Sequence, residues 1–418
     1  TTLRSAESGL VVDHVRAVFA ADQPADPGAP AGTAAAGPRR AGAALVDGGE
    51  LYGTVCFQAG RFRRIAGLPE LTARSCRALA RGPDDRAWFP PGGDGAGPGS
   101  DGLLLGSPGL NDALLQALQA CVPDRRVWPA AIASVTFSGA AAAGEVEIRA
   151  VAAARRPAGP PVPVAVTVAG GPAGRGVLVP PPAPSPDADG MAPATELTWD
   201  VTAVDGGGAI LAAWRGVVLR EAGALPRGGP WPLALLPAYL ESAALRLGLD
   251  PDLRITAAAD GPARPPGGGA GVPPPRPAEP AEAGGLALTA GGAGFAACGW
   301  APADPRHPVW PAGDAGQAAT FSRLCSHLSE PPVASAARLQ AAAACLARAG
   351  APADAPLTFE RAAADGWAVL AAGGARLACT VVEVAGLPGP VAIAIMTDSP
   401  RPALRGRPVR GGGARRRS

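Results

Sequence analysis

Short apolar runs separated by turn residues dominate the first half of the chain. β-type runs fall at residues 11–18, 51–57, 131–137, 145–151, 162–168, 197–204 and 210–219. Several alternate, as Leu197, Trp199 and Val201 do around Thr198 and Asp200, which is the period of a strand with one buried face. Gly206, Gly207 and Gly208 between the last two runs predict a hairpin turn. One helix interrupts the strands at residues 111–120. It is apolar at Ala113, Leu114, Leu115 and Leu118, polar at Asp112, Gln116 and Gln119, announced by Pro108-Gly109 and stopped by Pro123. A sheet wrapped on one long helix predicts the α+β class.

After Gly223 the texture changes. An amphipathic helix is predicted at 233–247, followed by a low-complexity stretch at 257–285 that reads as a flexible linker or long loop. A second patterned block carries strands near Leu286 and at 294–298, helices at 315–328 and 334–349, a hairpin of 366–371 with 377–384, and a closing run at 391–396. Pro/Gly/Ala loops at 23–44, 90–101, 157–161 and 180–195 punctuate the chain. The expected organisation is a first domain at 1–223, an opening helix and Gly/Pro-rich linker at 224–285, a second domain at 286–400, and a basic disordered tail at 401–418.

Composition narrows the chemistry. The 418 residues include 58 Gly and 49 Pro, yet 47% are hydrophobic, enough for two modest cores. All 37 basic residues are Arg. Without Lys there is no P-loop, no Schiff-base amine and no kinase-type phosphate Lys, so kinases and aldolases are excluded. Net charge is +2, and the seven Arg of the last 18 residues leave residues 1–400 mildly acidic. No aromatics interleave with those Arg, so the tail reads as solvated and not as a nucleic-acid grip. Seven widely spaced Cys without a C-x-x-C pair read as reduced, buried thiols, and no charge-free apolar run of 18 residues appears. A cytoplasmic protein with no membrane and no nucleic-acid partner is expected. The chain begins Thr1-Thr2-Leu3, which suggests a piece of a longer polypeptide.

Only His14, His307 and His327 are available for histidine chemistry. His14, after Asp13 in a strand-like run, reads as structural; His307 and His327 read as surface residues. Metal-ligand spacing is absent. The single G-x-G-x-x-G, at Gly97, Gly99 and Gly102, follows a loop and is discounted in so Gly-rich a chain. Asp112 and Gln116 remain, one helical turn apart on one face. Position alone leaves Asp112 open between a chemical role and a carboxylate placed near a helix start by the dipole.

The sequence around that helix resembles a known family. Asp112-Ala-Leu-Leu-Gln116 after Leu104-Leu105-Gly106-Ser107-Pro108-Gly109 is similar to the Asp-x-x-x-His/Gln helix of polyketide synthase dehydratase domains. Arg4-Ser5-Ala6-Glu7-Ser8-Gly9, Val12-Asp13-His14, Leu51-Tyr52-Gly53, the run from Phe57-Gln58 to Arg64, and Gln119 to Pro123 occur in the order of the enediyne-type iterative synthases. The resemblance covers roughly residues 1–223. It implies a hot-dog fold, with Asp112 as the acid that protonates the departing β-hydroxyl of a 3-hydroxyacyl thioester and Gln116 orienting it. It also implies a His base in an H-x-x-x-G-x-x-x-x-P motif. His14 has Val18 where that Gly belongs, so the base is expected upstream of this chain.

The second block is similar to the phosphopantetheinyl-transferase-like domain that ends the same synthases. Leu235-Leu236 with Tyr239-Leu240-Glu241, then Cys298-Gly299-Trp300-Ala301, the run Ala344 to Gly350, and Gly366-Trp367 with Leu370 carry that likeness. An active transferase holds Mg²⁺ on three carboxylates. Here those positions read Gly299, Ala301 and Ala344, and Arg348, always protonated, replaces a Lys. The resemblance therefore implies a degenerate domain with no metal and no directly bound cofactor. Substrate would arrive on the 4'-phosphopantetheine of an acyl carrier protein, the partners being that carrier and upstream synthase domains, with a homo-oligomer allowed. Two alternatives stay open: a non-catalytic scaffold from a decayed synthase, and an active phosphopantetheinyl transferase using Asp304, Asp314 or Glu330.

Overall fold

The computed structural model describes residues 2–4, 13–19, 46–82, 107–138, 144–154, 165–168, 175–178, 197–225, 229–249, 253–259, 286–291, 296–303, 315–351, 355–363 and 365–397. The loops expected at 23–44, 90–101, 157–161 and 180–195, nearly all of the linker, and the tail lie outside those residues, as do Gly97, Gly99 and Gly102. The protein is α+β, mostly strands with few helices. Its contacts divide it into two units. The first comprises Thr1–Gly248 with Ala257–Gly261 and Glu383–Gly386; the second comprises Leu249–Thr256, Pro262–Val382 and Leu387–Ser418.

The first unit contains β1 (Thr2–Arg4), β2 (Asp13–Phe19), β3 (Val46–Asp47), α1 (Gly48–Leu51), β4 (Ile65–Leu71), β5 (Ser75–Ala80), α2 (Pro108–Cys121), β6 (Arg125–Ala131), β7 (Ser134–Phe137), β8 (Val146–Ala154), β9 (Ala165–Val168), β10 (Arg175–Leu178), β11 (Leu197–Val204), β12 (Ile210–Ala224) and α3 (Leu236–Arg246). The strands join in the order β1-β2-β10-β9-β7-β12-β11-β8-β5-β4-β3, with β6 also paired to β12. The β11–β12 hairpin forms as expected. Asp205 holds its turn by accepting from the Gly207 and Ala209 amides at 2.9 and 2.8 Å, while Gly208 takes φ +89°.

The run at 51–57 is not a strand. Gly53 at φ +92° turns the chain directly after α1, and only an isolated bridge joins Tyr52 to Cys56. Conversely, β4 forms despite Gly67 and Pro69. Its pairing with β5 is interrupted between Gly67 and Glu70, so Pro69, which has no N–H to give, stands outside the ladder.

α2 lies on this sheet, packed against β4, β5, β6, β8 and β11. Its Ala113, Leu114, Ala117, Leu118, Ala120 and Cys121 are fully buried, as are Leu68, Ala78, Ile148 and Val201 on the strands it packs against. Each fully buried Leu contributes on the order of 2 kcal/mol. Gln119, expected on a polar face, is buried instead. Its amide donates to the Val122 and Arg125 carbonyls at 2.9 and 2.6 Å and accepts from the Val127 amide at 3.1 Å, fastening the end of α2 to β6.

α3 belongs to this unit and not to a linker. Arg246 pairs with Asp124 just after α2 and donates to Ser242, while buried Glu241 accepts from the Ala73 amide at 2.8 Å. Trp231 stacks on Tyr239 and exchanges backbone hydrogen bonds with Glu383 and Ala385. By its contacts α3 falls within the first unit, as does Glu383–Gly386.

β13 (Arg254–Ala259) and β14 (Leu286–Gly291) pair as a two-stranded sheet. The second unit then adds β15 (Ala296–Pro302), α4 (Ala315–Leu328), α5 (Pro332–Arg348), β16 (Thr358–Ala362), β17 (Ala368–Ala372), β18 (Ala375–Val382) and β19 (Val391–Thr397). Its antiparallel sheet runs β15-β19-β18-β17-β16, and α4 and α5 cover one face over a core containing Leu324, Leu339, Leu346, Leu370, Leu377 and Met396. Buried Arg338 ties α5 down. It pairs with Glu330 at 3.0 Å and donates to the Cys379 and Gly366 carbonyls at 2.6 and 2.8 Å. Among the described residues no helix is long and apolar enough to cross a membrane.

Candidate functional site

Asp112 sits near the start of α2. Pro108 occupies the first turn, where its missing N–H costs nothing, and the Asn111 amide closes the first bond onto the Ser107 carbonyl at 3.0 Å. One turn later Gln116 is 1% exposed, a polar side chain inside an apolar face. Burial at that level demands partners. The segment between α1 and β4 supplies them, bent by Gly53 and by the 3-10 turn Gly60–Phe62.

The Gln116 amide nitrogen donates to Asp112 Oδ2 at 2.6 Å and to the Phe62 carbonyl at 2.7 Å. Its oxygen accepts from the Tyr52 hydroxyl at 2.6 Å, and that hydroxyl accepts in turn from the Ile65 amide at 2.7 Å. The guanidinium carbon of Arg63 lies 5.3 Å from the centre of the Tyr52 ring, with its Nε donating to the Gln58 carbonyl at 3.0 Å. Phe57 and Trp128 lie beside each other with ring centres 6.3 Å apart, and with Phe62 they are among the most exposed large apolar side chains described.

Burial pushes the Tyr52 phenol up to about 12. The Cys56 thiol and the Asp112 charge reinforce that rise, against hydrogen bonds from the Ile65 and Arg64 backbone. Cys56 is pushed up to about 12 as well, by burial first and by Asp112 second. Both groups are neutral at neutral pH, so neither serves there as nucleophile or base. Three buried polar atoms close to this stretch in sequence, Gln58 Oε1, Arg64 Nε and Ser107 Oγ, have no hydrogen-bond partner among the described residues. The arrangement offers one oriented carboxyl group to a ligand, the equipment of a single acid or base.

Of the residues singled out from sequence, Asp112 and Gln116 are in direct contact. Tyr52 and Phe62 belonged to motifs without an assigned role, and only the fold reveals that they clamp Gln116. No local pattern could have shown it, since Tyr52 and Gln116 are 64 residues apart. Among the histidines, His327 stacks on Phe359 in the second unit at 5.0 Å. His14 has its backbone in β2 with its side chain outside the described residues, as all of His307 is.

In the second unit Gly299 and Ala301 lie on β15 and Ala344 on α5, and the fold does bring strand and helix together. A Cβ on Gly299 would stand 2.5 Å from the Ala341 carbonyl oxygen and 2.5 Å from the Cys345 nitrogen. Ala301 is buried in the same apolar cluster. A hard cation needs oxygen ligands and room for water, and this packed glycine–alanine contact supplies neither. A magnesium site therefore does not fit at these positions. Arg348 donates to the Cys298 carbonyl at 2.8 Å, and Glu330 is engaged by Arg338 and Ser335. Asp304 and Asp314 lie outside the described residues. Among the described residues no group of three or more His, Cys, Asp or Glu could hold a metal.

Comparison of the chain with protein-family models, with curated proteins and with solved structures gave no match.

Proposed function

We propose that the first unit is the aspartate half-site of a polyketide-synthase-type dehydratase, acting on a 3-hydroxyacyl thioester carried on the 4'-phosphopantetheine of an acyl carrier protein. The observation that carries this reading is the half-buried Asp112, held through Oδ2 by a Gln116 that has no freedom to turn away. The placement of α2 on the antiparallel strands β4, β5, β8 and β11 supports a hot-dog architecture, and the order of the sequence motifs supports the family. The second unit, in this reading, is a transferase-like fold without catalytic metal, whose closed Gly299–α5 contact suits packing or assembly.

Elimination of water needs two groups. A base removes the proton on the carbon next to the thioester, the electrons of that C–H bond become the new C=C bond, and the C–O bond to the β-hydroxyl breaks. Asp112 gives its proton to the departing oxygen, which leaves as water. The base is expected to be a histidine supplied by sequence upstream of Thr1.

The test is intact-protein mass spectrometry of a 3-hydroxyacyl-carrier protein, incubated with the chain expressed together with any sequence encoded upstream of Thr1. Loss of one water that Asp112→Asn abolishes is the expected result. A carrier that binds yet keeps its water would replace this reading with a non-catalytic scaffold, which the closed contact at Gly299 already favours for the second unit.

A further inference from the structure

We infer that Tyr52 is a positioning residue of this site, its hydroxyl locking the Gln116 amide so that Oδ1 of Asp112 carries the acid proton. For its catalytic consequence the inference rests on the dehydratase reading; the locking itself rests on hydrogen-bond geometry alone. A glutamine amide has two ends of nearly equal shape, one a double donor and the other an acceptor. The Ile65 N–H points into the Tyr52 oxygen at 2.7 Å, so the phenol proton goes to its other close neighbour, the Gln116 oxygen at 2.6 Å. That fixes the acceptor end. Both amide hydrogens are then used, one on the Phe62 carbonyl and one on Asp112 Oδ2. Turning the amide over would set its oxygen against the Phe62 carbonyl oxygen at 2.7 Å, two acceptors without a proton between them.

A carboxylic acid accepts far better through its carbonyl oxygen than through its hydroxyl. A donor fixed on Oδ2 therefore makes Oδ2 the carbonyl and Oδ1 the hydroxyl. Oδ1 is the oxygen that meets the departing group. Tyr52 touches no reacting atom and acts through Gln116, as a third group orients an acid or base in other sites.

The experiment compares Tyr52→Phe with the parent chain, both carrying any upstream sequence. It measures kcat and KM on the 3-hydroxyacyl-carrier protein, and the ¹³C chemical shift of the Asp112 carboxyl, assigned with Asp112→Asn, at one fixed pH. The groups facing that carboxyl are Gln116, Tyr52 and Cys56, with Arg63 over the Tyr52 ring. Expected are a kcat lowered about tenfold or more with KM nearly unchanged, and a displaced carboxyl ¹³C shift because the amide donor on Oδ2 is less firmly held. Should Tyr52→Phe not fold, Gln116→Met removes the donor directly and must produce both changes. Dehydration by the parent with neither kcat nor the carboxyl signal responding would overturn the inference. A parent that never dehydrates, with the carboxyl ¹³C shift still displaced in Tyr52→Phe, would overturn the dehydratase reading and leave the role of Tyr52 standing.

Discussion

Gly299 and Ala341 approach so closely that a methyl group on the glycine would reach the alanine's carbonyl oxygen at 2.5 Å. Two backbones meet there, and neither can swing aside as a flexible side chain would. Gly299→Ala is expected to cost about 1–3 kcal/mol by overpacking, visible as a lower urea midpoint of the full chain. Gly299→Asp is expected to cost more and to gain no magnesium affinity by calorimetry; a binding heat would contradict the packing described.

Arg338 is the other fixed point of the second unit. Because its guanidinium satisfies Glu330 and two carbonyls in near-complete burial, Arg338→Met leaves Glu330 without its counter-charge. A loss of about 3–5 kcal/mol is expected in chemical unfolding. A change below about 1 kcal/mol would mean that the pair is compensated by solvent.

Gln116→Leu tests the network from the side of stability. It takes the acceptor from the Tyr52 hydroxyl proton and one donor from the Phe62 carbonyl, which keep the Ile65 and Arg64 amides, and an expected loss of about 1–3 kcal/mol follows. Asp112→Asn should cost much less, since its amide oxygen still accepts from Gln116. Equal losses in the two variants would show that the network is not organised around Gln116.

The Tyr52 phenol supplies a pH prediction with a definite sign. Its pKa is raised in the folded protein to about 12 from an ordinary value near 10, so the folded state holds its proton longer than the unfolded one. Its contribution is complete below pH 10 and is lost as pH rises toward 12. The chain has two tyrosines, so the difference in tyrosinate absorbance between the parent and Tyr52→Phe isolates this group. A difference titration centred at pH 10 would refute the burial assigned to it.

Thiol reactivity offers a direct check of both cores. Six of the seven cysteines are buried and only Cys325 is partly exposed. Burial raises Cys56 and Cys379 to about 12 and Cys298 to about 11, which leaves almost no thiolate at neutral pH. One fast-reacting thiol per folded chain is expected with an aromatic disulfide reagent, removed by Cys325→Ser. Two or more fast thiols would show that one of the cores is open.

Local pattern settled much of the secondary structure, because periodicity and turn chemistry act within a few residues. β11 at Leu197–Val204 and α4 at Ala315–Leu328 coincide with the patterns that predicted them, and α2 extends its pattern by a few residues at the start. Pattern failed where a single residue overruled it. Gly53 turned an apolar run into a bend, and an interruption in the ladder let β4 keep Pro69. β16 at Thr358–Ala362 carried too little alternation to be noticed, and its pairing with β17 decided it.

The spacing of Asp112 and Gln116 was fixed by sequence alone, since four residues make one helical turn wherever a helix forms. So were the absence of lysine chemistry and the glycine and alanines at positions 299, 301 and 344. Tertiary structure decided everything that depends on distant segments meeting. It placed Gln116 inside the core, brought Tyr52 and the Phe62 carbonyl to it, joined α3 to the first unit through Asp124 and Ala73, and closed α5 over Gly299. A hydrogen bond is fixed by where two groups lie within about 3 Å of each other, and chain order constrains that only for near neighbours.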